Sequence, residues 1–329
     1  MTDQYDVAAI GNAIVDVLAS ADEAFLIQEN LTKGSMMLID EARAHELYAR
    51  MAPGVEASGG SAANTVAGVA SFGHRAFYVG KVASDPLGEI FAHDIRAIGV
   101  NFESEPLTGG PATARCLVNI TPDGERTMCT YLGASVELTD KDIPQGPIEA
   151  AKILYLEGYL FDPEAARRAF LKAAAISRSA GRSIAFSLSD AFVVERHREA
   201  LLAFIDSEVD ILFANEAEAL ALFQTADFDA AAGALAGRVK IAAITRGGAG
   251  SVILRGGKAI SAPAAPVSAV VDTTGAGDQY AAGFLSGLAR GLDLAACGAL
   301  GSLAAAEVIS HLGPRPQSPL KALAAARGL

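Results

Sequence analysis

Tryptophan is missing from the chain, and cysteine is scarce, with Cys116, Cys129 and Cys297 the full set. An odd number without any Cys-x-x-Cys spacing excludes a disulfide-stapled scaffold and a paired redox motif, so the three read as reduced thiols packed like small hydrophobes. The five histidines, His45, His74, His93, His197 and His311, include no His-x3-His pair. No zinc pattern is available, and any metal here is hard and oxygen-bound. Basic residues are the scarcer charge, 26 Lys and Arg against 38 Asp and Glu, for a net charge of −12. Such a field repels phosphate backbones and anionic headgroups over about a Debye length, which argues against nucleic acid and membrane partners. No stretch approaches the roughly 18 to 20 apolar residues of a membrane span, and Met1-Thr2-Asp3-Gln4-Tyr5-Asp6 has neither a basic nor an apolar leader region. The expectation is a cytoplasmic protein.

What the chain does have is apolar material, 51% of its 329 residues against 19% charged. That is enough for one large α/β unit or two domains. Short β-branched runs recur at Asp6–Ile10, Ala76–Val79, Ile153–Leu156, Ile184–Phe186, Val209–Phe213 and Ile241–Thr245, separated by Ala-rich stretches of helical spacing. This is the rhythm of a parallel sheet covered on both faces, a three-layer α/β/α body. One helix reads in full: Asp85 as N-cap, Pro86 in the first turn, an apolar stripe through Leu87, Ile90, Phe91, Ile95 and Ile98, and Gly99 past the end. A second is expected from Asp162-Pro163-Glu164 to Gly181 by the same logic. Thr113–Thr121 and Arg126–Leu132 flank a turn at Pro122-Asp123-Gly124 and read as an antiparallel hairpin. The chain is thus expected to be a single domain over 1–329, with a small β lid drawn from about 14–40 and 100–135.

The stretch Val270 to Phe284 carries the most chemistry. A strand-like apolar pair enters the turn Asp272-Thr273-Thr274-Gly275-Ala276-Gly277-Asp278, and a helix follows with Phe284, Leu285 and Leu288 as apolar positions. Gly275, Ala276 and Gly277 sit where the first unpaired N–H groups of the helix converge, a ready anion site. Asp278 falls in the first helical turn. An ordinary capped helix start accounts for an Asp there, but an anion nest beside a carboxylate is poor design for stability alone. A phosphoryl-transfer site needs both, N–H groups for the migrating charge and an acceptor for a hydroxyl proton. An aspartate there, assisted by the helix N-terminus, is expected to stay ionised at neutral pH.

A second stretch, Gly59-Gly60-Ser61-Ala62-Ala63-Asn64, joins two glycines, over which a ligand can approach the backbone, to Ser61 and Asn64 one helical turn apart. These are hooks for a hydroxylated ligand, or a Gly turn with a Ser cap and an outward Asn. No Gly-x4-Gly-Lys-[Ser/Thr] occurs, and no Gly-x-Gly-x-x-Gly follows the first strand.

On these two segments the chain resembles the ribokinase family, the PfkB carbohydrate kinases, whose signatures are a Gly-Gly…Asn segment and a terminal Asp-Thr-x-Gly-Ala-Gly-Asp. Here they stand in order, about 210 residues apart. The likeness extends from Gly11-Asn12-Ala13-Ile14-Val15-Asp16 through Asn215-Glu216-Ala217-Glu218 to Thr245-Arg246-Gly247-Gly248-Ala249-Gly250. It implies a ribokinase-like fold and a kinase using ATP and Mg²⁺. Asp278 would be the base, with Gly275, Ala276 and Gly277 as the anion hole. Asp16 would take two vicinal sugar hydroxyls, with Asn12, Gly59, Gly60, Ser61 and Asn64 around it. Asn215 and Glu218 would order Mg²⁺ and phosphates through water, with no direct protein ligand, although an Asn cap with a solvated Glu also explains them. Thr245, Gly247, Gly250 and Thr273 would hold the donor.

Within the family the first turn, the Tyr155-Leu156-Glu157-Gly158-Tyr159-Leu160 strand end and the Gly124-Glu125-Arg126-Thr127 hairpin look closer to the adenosine kinases. Arg126 would then clamp the transferred phosphate, or be a solvated hairpin residue. Met36, Leu38, Tyr159 and Phe161 are candidate walls for a base. Leu160 stands where animal adenosine kinases carry a stacking Phe, so stacking must come from a neighbour. A phosphosugar would need two or more cations, and the identifiable acceptor segments offer only Lys33, Arg115 and Arg126, so a neutral acceptor fits better. The expectation is a monomer or homodimer that phosphorylates the 5′-hydroxyl of adenosine. Other acceptors (inosine, guanosine, ribose, fructose), a silent nucleoside-binding protein and a nicotinamide oxidoreductase are the alternatives; the missing dinucleotide fingerprint counts against the last.

Overall fold

The structure, a computed structural model, describes residues 5–329. Along these residues run strands β1 (Tyr5–Ile10), β2 (Ile14–Ser20), β3 (Met36–Leu38), β4 (Val55–Gly59), β5 (Ala76–Val79), β6 (Val100–Phe102), β7 (Ala114–Ile120) and β8 (Arg126–Tyr131). They are followed by β9 (Ala151–Glu157), β10 (Ser183–Ser187), β11 (Ile211–Asn215), β12 (Ile241–Thr245), β13 (Ser251–Arg255) and β14 (Lys258–Ala262). A nine-stranded sheet takes the order β14-β13-β12-β11-β10-β9-β1-β5-β6. Its neighbours run parallel except around β13, which lies antiparallel to both β12 and β14.

Continuous apolar runs are what a sheet buried on both faces demands, and β1 shows the consequence. Val7 and Ala9 pack with the helices Ser61–Ser71 and Ala276–Ala289 on one face. Ala8 and Ile10 pack with the helices Glu164–Ser179 and Ala191–Glu208 on the other. The helix Pro86–Ala97 begins at Asp85, whose carboxylate accepts from the Gly88 N–H at 2.8 Å, and Gly99 follows it at φ +90°. The helix expected from Asp162 differs at its start. Pro163 precedes it without any side-chain cap, because Asp162 turns its carboxylate to Arg196 (2.9 Å) and His197 (2.5 Å). A tertiary ion pair has displaced the local cap.

The second sheet, β3-β8-β7-β2-β4, contains the expected hairpin, β7 against β8. Two strands fall differently from the expected lid ranges. β4 joins the small sheet from Val55–Gly59, antiparallel to β2, and β6 belongs to the large sheet beside β5. β4 reads Val-Glu-Ala-Ser-Gly, with a single β-branched residue, so its strand signal is weak. The small sheet is two-faced. Val17, Leu117 and Cys129 pack under the helices Glu23–Gln28 and Glu41–Arg50, while Ile14, Asp16, Leu18, Cys116 and Val118 alternate onto the opposite face and line a cavity. Among the described residues no helix is long and apolar enough to cross a membrane.

Candidate active site

A cavity of about 570 Å³ opens between the small sheet and the large one. Asn12, Glu157, Ser187, Asn215 and Thr245, each at or just past the carboxyl end of a parallel strand, line it. That crevice is where an open α/β sheet presents its ligands, because the strand ends and following loops converge there.

The floor is the turn from Thr273 to Asp278. Gly275 precedes the helix Ala276–Ala289 at φ +77°, and a Cβ there would lie 2.6 Å from the Pro314 carbonyl oxygen. Glycine is needed on both counts. The Ala276 N–H turns back to the Thr273 carbonyl (3.2 Å), so the anion hole is narrower than expected. Among the described residues no acceptor takes the N–H groups of Gly275 or Gly277. Asp278 accepts from Ser61 Oγ at 2.6 Å and from Asn64 Nδ2 at 3.4 Å. The two segments, more than two hundred residues apart in the chain, thus meet at one carboxylate. Burial pushes its pKa up to about 6, against the hydrogen bonds from Ser61 and Asn64. The expected assistance of the helix N-terminus is outweighed by loss of water.

Asp16 lies on β2, facing the cavity. Gly59 is not part of the wall; it backs Asp16, since a Cβ there would meet Asp16 Oδ2 at 2.3 Å. Gly60, at φ +94°, brings the start of the next helix against Asn12, whose carbonyl oxygen a Cβ would meet at 2.1 Å. No protein group among the described residues donates a hydrogen bond to the Asp16 carboxylate. Burial pushes its pKa up to about 6, while Arg315 and Arg126 pull it down and Asp278 pushes it further up. Asn12 Oδ1 is also buried without a partner. Unpaired acceptors of this kind, one half-buried and one buried, are stabilised by a ligand that brings hydroxyls.

Glu157 was not among the expected site residues. Fully buried, it accepts from the N–H groups of Asn12 and Ala62 at 2.7 Å each, tying the loop after β1 to the helix that follows Gly60. Burial pushes its pKa up to about 7. The available signal was an acid closing the apolar run of β9.

At the far end Asn215 and Glu218 form a reciprocal cap. Asn215 Oδ1 accepts from the Glu218 N–H (2.8 Å), while Glu218 accepts from the Asn215 N–H (2.9 Å) and from Nδ2 (2.7 Å). Glu218 is buried rather than solvated, and desolvation pushes its pKa up to about 7. Thr245 and Thr273 line the cavity. Gly247 and Gly250 do not; they shape the turn from β12 to β13, where the Arg246 N–H bonds the Gly250 carbonyl at 2.8 Å. Among the described residues no cluster of His, Cys, Asp and Glu is placed to hold a metal directly.

The walls are apolar. Met36 (46% exposed) and Leu38 (57%) on β3, Phe192 (70%) from the body, and Tyr159 all line the cavity. Phe161 does not. Its ring is buried against Phe186 and Phe204, with centroids 6.2 and 5.8 Å away, and Leu160 is also in the core. Phe192, missed in the sequence, follows its N-cap Asp190 by two residues. Arg126 lines the cavity but is paired with Asp272 at 2.5 Å, at the entry to the anion turn, and so is not a free clamp in this conformation. Lys33 is held by Glu23 and Asp123. Arg115 lies outside the cavity, its charge felt by Glu41 and Tyr48 on the helix-covered side.

Known proteins share this fold. The model of the pfkB family carbohydrate kinases matches residues 29–321. The solved structure of adenosine kinase from Sinorhizobium meliloti superposes with a TM-score of 0.93 at 52% identity, covering 98% of this chain and 99% of its own. Adenosine kinase of Saccharomyces cerevisiae is 27% identical over 93% of this chain and 95% of that one. A fructokinase of Salmonella typhimurium is 28% identical over 71% and 78% respectively. With the family match running from the lid to the last helix, the chain belongs to the pfkB carbohydrate kinases, phosphotransferases that act on a hydroxyl group.

Proposed function

We propose that the protein transfers the γ-phosphoryl group of ATP to the 5′-hydroxyl of adenosine, giving AMP and ADP. The observation that carries this is the Asp278 carboxylate held by Ser61 and Asn64 at the mouth of a helix whose turn leaves N–H groups unpaired. Asp278 takes the hydroxyl proton as the oxygen reaches phosphorus, a contribution of about 10²- to 10⁴-fold. The N–H groups of Gly275 and Gly277 receive the charge on the migrating group, each worth about 2.7 to 4 kcal/mol. Asp16 and Asn12 accept hydroxyls of the ribose, and Arg126 leaves Asp272 for the transferred phosphate.

Mg²⁺ supplies charge neutralisation on the triphosphate when bound. The residues at the donor end fit an outer-sphere role. Each Glu218 oxygen accepts one bond from Asn215 and keeps a lone pair for metal-bound water. Thr245 and Thr273 offer hydroxyls to the phosphates.

Acceptor choice rests on the walls and on charge. Of Lys33, Arg115 and Arg126, only the last lines the cavity, and it is already paired. Arg196 also lines the cavity and is paired with Asp162 at 2.9 Å, so a dianionic phosphosugar would find no unpaired cation among these residues. Large apolar side chains exposed on facing walls suit a flat base. The 52% identity to the Sinorhizobium meliloti enzyme supports the same acceptor. A panel of adenosine, inosine, guanosine, ribose and fructose with MgATP, followed by ADP release, tests it. Adenosine should give the highest kcat/KM; a fructose or ribose optimum would overturn the assignment. Phe192→Ala should raise KM for adenosine about tenfold, the equivalent of about 1.4 kcal/mol, and leave KM for ATP unchanged. Equal effects on both would place Phe192 elsewhere in the mechanism.

A further inference from the structure

Behind the acceptor end lies an arginine that neither the motifs nor the mechanism above uses. Arg315, in the segment after the helix Leu294–Val308, is 16% exposed at its side chain. Its Nε donates to Asn64 Oδ1 at 3.1 Å. Its Nη1 donates to Ser58 Oγ and lies 3.5 Å from Asp94 Oδ2. Asp94 in turn accepts from the Ser58 N–H at 2.8 Å and from Ser58 Oγ at 2.5 Å. One guanidinium thus spans β4, the helix Ser61–Ser71 and the helix Pro86–Ala97. The residue before it is fixed to the anion turn, the Pro314 carbonyl accepting from Gln279 Nε2 at 3.1 Å, and Gly313 donates to Asp272 at 2.9 Å.

We infer that Arg315 is a positioning residue for the phosphoryl transfer, acting through Asn64. This rests on the kinase reading of the site. An amide has two chemically opposite ends, and which one faces a neighbour is set by its hydrogen bonds. With Oδ1 taken by the Arg315 fork, Asn64 must present Nδ2 to Asp278. Turned over, it would set a carbonyl against that carboxylate. The fork therefore selects the orientation that holds the base. Stability does not explain such a residue. Nη2 of Arg315 is buried without a hydrogen-bond partner, and a buried cation left partly unpaired costs folding free energy that an apolar side chain would not. Its charge also reaches Asp16, whose other charged neighbours are Arg126 and Asp278.

The experiment compares Arg315→Met, Arg315→Lys, Asn64→Ala and the double variant Arg315→Met/Asn64→Ala, using whichever acceptor of the panel the wild type prefers. Arg315→Met should lower kcat/KM by about 10- to 100-fold, and in the Asn64→Ala background the same change should cost less than about threefold, because the two act as one unit. Arg315→Lys keeps the charge without the fork. It should leave kcat/KM impaired, while Arg315→Met should melt no lower than the parent. Full recovery by Lys, or additive losses in the double variant, would overturn the assignment. A second arm needs no turnover. The side-chain NH₂ resonances of Asn64, identified by their loss in Asn64→Ala, should form one sharp pair in the wild type and broaden or double in Arg315→Met. An unchanged pair also overturns the inference. Should the wild type phosphorylate no acceptor, the kinase reading fails on its own, and the resonance arm still decides whether Arg315 orients Asn64.

Discussion

Asp278→Asn is expected to lower kcat by about 10²- to 10⁴-fold, the worth of a positioned base, while acceptor binding measured by calorimetry stays within about threefold of the parent. Asn keeps the shape and can still accept from Ser61 Oγ, now at 2.6 Å from Oδ1. What it loses is the site for the proton. In the parent, kcat/KM should fall on the acid side with a limb near pH 6, since burial pushes both Asp278 and Asp16 to about that value. Stability gives an independent check with the opposite slope. A carboxylate whose folded pKa is raised binds its proton more tightly folded than unfolded. Stability is therefore lost as pH rises from about 4, the unfolded value, through about 6. Asp278→Asn removes that penalty, so without ligand the variant should melt higher than the parent at pH 8, and the gap should narrow at pH 5. A variant with parental kcat removes Asp278 from the role of base. A melting gap independent of pH would show that its charge is not strained in the fold.

The body of the fold was legible because both faces of its sheet are buried, so β1, β5 and β12 appear in the sequence as unbroken apolar runs. The terminal motif was legible because a glycine turn, an anion nest and an acid within seven residues satisfy no simpler purpose. Less legible was whatever depends on tertiary burial. Glu218 reads as a solvated acid in the chain and Glu157 only as the acid that ends an apolar run; packing shows that both are buried and hydrogen-bonded to backbone N–H groups. Phe192, not the expected Phe161, lines the cavity for a related reason. Periodicity says that an aromatic is near a strand end, while the sheet twist and the start of the next helix decide which ring faces the core. Gly247 and Gly250 resemble a phosphate loop locally, yet their positive φ values, +54° and +83°, are used to turn β12 into β13. Arg315 carries no local signal at all, since its partners Ser58, Asn64 and Asp94 lie more than two hundred residues away.

Removing one hydroxyl from the acceptor is expected to have the second largest effect. 2′-Deoxyadenosine should show kcat/KM at least about 10²-fold below adenosine. A site built to bond a hydroxyl leaves its own polar group buried and unpaired when that hydroxyl is missing, and such sites discriminate by up to about 10⁴- to 10⁵-fold. Asp16 meets the condition. Its carboxylate faces the cavity, receives no donor from the described residues and is held there by the missing Cβ of Gly59. Burial raises its pKa to about 6, and two hydroxyl donors from ribose would favour the ionised form and lower it again. Adenosine should accordingly bind the ionised enzyme more tightly, so its KM should climb as pH falls below about 6, while KM for ATP stays flat. Asp16→Ala should weaken adenosine strongly and bring the two nucleosides close to parity, because the group that penalises the missing hydroxyl has gone. If the parent enzyme uses 2′-deoxyadenosine as well as adenosine, the Asp16 carboxylate does not read the ribose, and the cavity must be oriented with its hydroxyl-binding end elsewhere.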